Sequence, residues 1–108
     1  MTTEHLQVLT SAGSEAEAAA IAAGLVELRL AACVQVIGPI ASTYRWQGAV
    51  EAAREWQCLA KTTAERFQEV EAAIRMLHSY EEPEIIATPI VAGSPGYLAW
   101  IEENVSDI

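Results

Sequence analysis

Residues 33–46 read CVQVIGPIASTYRW, Gln47-Gly48 follow, and residues 50–62 read VEAAREWQCLAKT. Cys33 to Ile37 has the β-branched character of a strand, and Gly38-Pro39 predicts a bulge or kink within it. Ile40 to Trp46 carries the strand on, Gln47-Gly48 forms a tip, and Val50 to Thr62 returns. Each arm holds about 13 residues, roughly 40 Å at 3.3 Å per residue, where an ordinary strand has 5 to 6. A sheet in a chain of 108 residues cannot cover both arms along their length. Tyr44, Trp46 and Trp56 fall toward the distal half, where an isolated chain leaves them in water. Bare hairpin edges template aggregation unless another strand or surface meets them. A neighbouring copy is the economical cover, with Tyr44, Trp46 and Trp56 at the contact.

On either side of the hairpin, strand and helix signals alternate. Leu6 to Leu9 predicts a short strand. Ser14 with Glu17 has capping-box spacing and opens a helix to about Leu30, with Ala19, Ala22/Ala23, Val26 and Leu30 on the expected buried face. After the hairpin, Thr63 is expected to cap a helix from Ala64 to about His78. Phe67, Val70, Ile74 and Leu77 form its apolar stripe, and Glu71 and Arg75 pair at i,i+4. Tyr80-Glu81-Glu82-Pro83-Glu84 predicts a loop, because proline fits neither element without cost. Ile85 to Ile90 predicts a strand. Ser94-Pro95 begins a terminal helix whose apolar side holds Tyr97, Trp100 and Ile101. The pattern is strand, helix, strand, strand, helix, strand, plus a C-terminal helix. It predicts an α+β, ferredoxin-like βαββαβ domain spanning residues 1–108, with two helices on one face of an antiparallel sheet.

Composition narrows the partners. Six Lys+Arg face 15 Asp+Glu, a formal charge of -9, and this opposes binding to nucleic acid or to an anionic membrane. Hydrophobic residues make up 52% of the chain but aromatic ones only 6%. An alanine-rich core gains little burial per residue, so a small domain built this way benefits from association. Apolar stretches are too short to span a bilayer. Met1 to His5 shows no basic segment leading into an apolar run, so the cytoplasm is the expected compartment. Cys33 and Cys58 have neither disulfide-framework nor zinc spacing.

Phosphate-loop, HExxH and GxSxG strings are absent, so no strong enzymatic motif is present. Cys33 has three readings: a soft-metal ligand, a nucleophile, or a small buried hydrophobe. Cys58 reads as core. His78 beside Glu81, Glu82 and Glu84 has the donor chemistry of a divalent-cation site, and equally that of a helix-terminal His beside a solvated loop. Arg29, Lys61 and Arg45 are candidates for an anion cleft, with Lys61 near a helix N-terminus and Tyr44 as a further contact. His5 is expected to be uninvolved.

Five strings occur in order: Leu30-Ala31-Ala32-Cys33-Val34, Ser42 to Gly48, Lys61-Thr62-Thr63, Leu77 to Ile86 and Ala92 to Ile101. Together they resemble the CutA divalent-cation-tolerance proteins from about Leu6 to Ile101. The resemblance implies a ferredoxin-like subunit in a tight homotrimer similar to the PII signalling proteins, with hairpins pairing between subunits. It also implies a non-enzymatic role in tolerance to copper and other divalent cations. In some bacterial members copper is associated with a Cys near the end of the first strand and a His pair before the acidic loop. Here Thr10 takes the Cys position and Leu77 the first His position. His78 alone matches, and Ser79 replaces the usual proline. The expected metal ligands are therefore His78, Glu81 and Glu84, with Cys33 for Cu(I). The other expectation is a PII-like signalling or scaffold trimer, holding an anionic metabolite or partner protein near Lys61, Arg29 and Tyr44.

Overall fold

The computed structural model describes residues 4–105. Strand β1 is His5–Ala12, helix α1 Glu15–Glu27, β2 Cys33–Trp46 and β3 Ala49–Thr63. A 3-10 turn at Ala64–Arg66 leads into α2, Phe67–Leu77, followed by β4, Ile86–Pro89, and α3, Pro95–Asn104. The four strands form one antiparallel sheet in the order β2-β3-β1-β4. This is the ferredoxin-like arrangement the element order predicts, with the long hairpin and the C-terminal helix in place. Among the described residues no helix is long and apolar enough to cross a membrane.

The hairpin closes where the sequence says it should. Gln47 and Gly48 both take positive φ, 50° and 82°, which matches the right-handed twist of the flanking strands. The register slips between Ile37 and Ile40, so Gly38-Pro39 forms the bulge. Gly38 is glycine for lack of room, since a Cβ there would sit 2.5 Å from Cδ1 of Trp56.

Only part of the hairpin is sheltered. β1 pairs with β3 from Thr63 down to Trp56, and from Glu55 to Ala49 β3 pairs, among the described residues, with β2 alone. The chain measures 46 × 25 × 21 Å. Its radius of gyration is 14.5 Å, against about 13 Å for a compact domain of this length. Tyr44 is 43% exposed and Trp46 49%. Trp56 departs from expectation. It packs half-buried against the core with Arg54 over its ring, because β1 and the helices still cover the sheet at that level.

The main core lies between the sheet and helices α1 and α2, where Val8, Ile21, Leu25, Cys58, Ala60, Val70 and Ile74 pack together. Helix α1 opens as the sequence predicts: the Ser14 hydroxyl accepts the Glu17 N–H at 3.1 Å. Its buried face, however, is Ala18, Ile21 and Leu25, one residue earlier than expected, and Ala19 and Val26 face outward. Ile21 and Leu25 carry far more apolar area than the alanines around them, so they set the helix rotation. The helix also stops sooner, at Glu27, because Arg29 adopts positive φ and turns the chain. In α2, Val70 and Ile74 are buried while Leu77 is exposed. Helix α3 adds a small second core of Ala32, Leu98, Ile101 and Val105. Tyr97 and Trp100 stack on each other at 5.5 Å, outside that core.

Candidate functional site

The segment after α2 passes the end of β1, and His78 fixes it there. Nδ1 of His78 accepts the Tyr80 N–H at 3.1 Å, so the ring proton sits on Nε2, which donates to the Ser11 carbonyl at 2.7 Å. The residue is 9% exposed. Both nitrogens are thus engaged by backbone, which withdraws them from metal ligation. Glu17 lies 3.7 Å from Nδ1.

With its start anchored, the loop turns its acidic residues toward the hairpin. The Tyr80 hydroxyl donates to Glu55 Oε2 at 2.9 Å. Burial first, then the Glu55 carboxylate, pushes the Tyr80 hydroxyl up to about 12. The Ser11 hydroxyl donates to Glu84 at 3.2 Å. Arg75 donates to Glu82 at 3.2 Å and to Glu71 at 3.4 Å, completing the pair expected on α2. Pro83 is buried beneath the loop. Between loop and hairpin runs a groove of about 600 Å³, its walls formed by Tyr44, Trp46, Tyr80 and four carboxylates, Glu55, Glu81, Glu82 and Glu84. Arg75 at the Glu82 end offsets one of those charges. The field inside favours cations and disfavours anions.

Of the expected metal ligands, Glu81 and Glu84 line this groove, while His78 lies beneath it. Cys33 is elsewhere. It pairs with Lys61, whereas Ser11 pairs with Gln57, a separation of roughly 13 Å along β3. Its neighbour is Tyr97, whose hydroxyl is pushed up by burial and then by Cys33. Among the described residues no three or more His, Cys, Asp or Glu are grouped to hold a metal ion. Thr10 is buried opposite Cys58, and among the described residues its hydroxyl has no hydrogen-bond partner. Cys58 donates to the Ala18 carbonyl, and burial followed by Glu17 pushes its thiol up to about 11.

The expected anion cleft does not assemble within one chain. Lys61 donates to Gln35 at 2.9 Å, and Arg29 to the Glu103 carbonyl at 2.9 Å. Tyr44 pairs with Glu51, ten residues or roughly 33 Å along β3 from Lys61. His5 is tied to Glu102 at 2.9 Å. Sequence reasoning missed Glu55 and Ser11. Glu55 is 25 residues from Tyr80 and reaches it only because the hairpin folds beside the acidic loop. Glu55 is one of several charged residues in that arm, with Glu51, Arg54 and Lys61, so nothing in the sequence singled it out.

A family model described as CutA1 divalent ion tolerance protein matches residues 6–104. The divalent-cation tolerance protein CutA of Thermus thermophilus is 45% identical over 97 residues, covering 90% of this chain and 94% of the relative. The solved structure of a CutA from Archaeoglobus fulgidus, described as periplasmic, superposes with a TM-score of 0.92 at 42% identity, over 94% of this chain and 99% of that one. CutA1 from Oryza sativa reaches a TM-score of 0.95 at 27% identity, over 99% and 98%. With the ordered motifs and the sheet topology, these matches lead to one conclusion: the chain belongs to the CutA1 divalent ion tolerance family.

Proposed function

We propose that this chain is a non-catalytic homotrimer of metal tolerance, working in the cytoplasm, whose acidic groove takes up divalent cations weakly, Cu(II) and Zn(II) among them. The observation that carries the reading is the groove itself, with four carboxylates on its walls. Among the described residues Glu81 has no hydrogen bond or ion pair, so it is free to meet a cation. Glu55, Glu82 and Glu84 each keep an oxygen in reserve beside the one they use. Carboxylates that line a groove without converging hold hydrated ions loosely, the behaviour of hard oxygen donors with water still in the shell. The sequestered ring of His78 and the distance of Cys33 argue against tight copper capture through nitrogen or sulfur.

The non-catalytic reading is supported by the placement of Cys33, the nucleophile candidate. It lies roughly 13 Å along the sheet from the Ser11 level, where His78 is saturated by backbone, so the two form no thiol–imidazole pair within the chain. Both cysteines are free, the state expected in a reducing compartment. The trimer is supported by the unsheltered hairpin, whose strand edges and aromatic side chains need cover. The negative groove opposes the anion-binding alternative.

Isothermal titration of Cu(II) and Zn(II) into the wild-type chain, Glu81→Gln/Glu84→Gln and His78→Ala tests the reading. Weak saturable heats in wild type, reduced in His78→Ala because the loop loses its anchor and lost in the double variant, are expected. Equal heats in wild type and the double variant would refute the groove as the cation site.

A further inference from the structure

The distal hairpin sorts its charges by sign. Between Ile37 and Trp56 its arms carry Arg45, Glu51, Arg54 and Glu55. Glu51 pairs with Tyr44 and Glu55 with Ile40, so both carboxylates share the sheet face of Tyr44 and Trp46. Arg45 pairs with Val50 and Arg54 with Ala41, on the opposite face. The spacings match as well. Glu51 and Glu55 are four residues apart along β3, roughly 13 Å, and Arg54 is four residues along from Val50, the partner of Arg45. Arg45, Glu51 and Arg54 are exposed. Among the described residues Arg45 and Glu51 have no ion pair or hydrogen bond, and Arg54 meets only the Trp56 ring, at 6.0 Å. The faces also differ in relief. One carries the two large rings, and the other sets Thr43 and Ala52 between its arginines.

Two acidic faces, or two basic ones, would bring like charges together, so this hairpin is not complementary to itself through a two-fold contact. Acidic face on basic face repeats head to tail and closes as a ring. We propose that the hairpins of this chain pack in that way, Arg45 and Arg54 reaching Glu51 and Glu55 of the partner subunit. Tyr44 and Trp46 then lie over small side chains and near guanidinium groups, which are attracted to ring faces. Glu81 and Glu84, on the loop, take no part. This contact rests on the trimer reading and gives it a direction and a register.

Sedimentation velocity through a urea series, at one protein concentration and low salt, tests it. Urea is uncharged and leaves charge pairs unscreened, and the series reaches dissociation however tight the assembly is. Reversing the basic face, Arg45→Glu/Arg54→Glu, or the acidic face, Glu51→Arg/Glu55→Arg, should weaken association about ten-fold or more at a given urea concentration. Reversing all four restores opposite charges at every contact and should recover most of that loss. Glu55→Arg also removes the Tyr80 bond, but the acidic-face and four-site variants share that defect, so their difference reports the contact. Added salt should loosen the wild-type assembly and tighten that of either one-face variant, through screening. Dissociation alike in wild type and both one-face variants would overturn the proposal and leave the trimer standing. So would a four-site variant no tighter than the acidic-face one. A wild-type chain that sediments as a monomer before urea is added would sink the trimer reading and this contact together.

Discussion

Replacing His78 with alanine removes two hydrogen bonds at once from a buried position. The Ser11 carbonyl loses its donor and the Tyr80 N–H loses its acceptor, at 2.7 Å and 3.1 Å. A buried polar group left without a partner costs about 1–3 kcal/mol, so the pair should cost roughly 2–5 kcal/mol. Two rescue variants separate the bonds. The side-chain oxygen of Asn can stand where Nδ1 accepts, and the amide of Gln where Nε2 donates, so each should recover part of the loss. The assay is urea unfolding followed by circular dichroism at one fixed protein concentration, because association makes stability concentration-dependent. Amide exchange at Tyr80 should accelerate in His78→Ala before global unfolding, since its N–H is released. A stability loss below about 1 kcal/mol, with Tyr80 exchange unchanged, would refute the anchoring role and return the ring to the list of metal ligands.

Other outcomes follow from the same geometry. Gly38→Ala forces a Cβ to 2.5 Å from Trp56 Cδ1 and 3.0 Å from its backbone Cα, and should destabilise the fold by about 1–3 kcal/mol in urea titration; an unaffected midpoint would show that the bulge has slack. The Tyr80 hydroxyl titrates near 12 in the folded chain against 10.0 unfolded, so the folded state holds its proton longer. Stability should therefore fall as pH climbs from about 10 toward 12, and Tyr80→Phe should flatten that slope; identical slopes would contradict it. With its thiol near 11, Cys58 is only about 0.1% thiolate at pH 8, so iodoacetamide should label Cys33 and spare Cys58 in the native protein; mass spectrometry showing equal labelling would disprove this burial.

How much of this was readable beforehand depended on the range of each cause. Gly38-Pro39 and Gln47-Gly48 act locally, so the bulge and the tip appeared in the sequence at their correct positions. Ser14 and its partner at Glu17 lie three residues apart, and the start of α1 was equally legible. The rotation of α1 was not, because in an alanine-rich helix small residues mark two adjacent faces about equally well and the sheet decides between them. At the site, Glu81 and Glu84 were recognisable as acidic loop residues. That His78 would be consumed by the Ser11 carbonyl, 67 residues earlier, was not, since backbone acceptors leave no trace in residue identity. Trp56 was misplaced for a related reason: distance along a hairpin arm says nothing about how far β1 extends beside it.

The most direct check on the account is where a divalent ion settles when it is offered. Crystals of the chain soaked in zinc, with anomalous data collected at the zinc edge, should show a peak between the acidic loop and the hairpin, beside Glu81 and Glu84, and the His78 bonds to Ser11 and Tyr80 intact. A peak on a His78 ring swung free of those bonds, or on Cys33 with the groove empty, would contradict it.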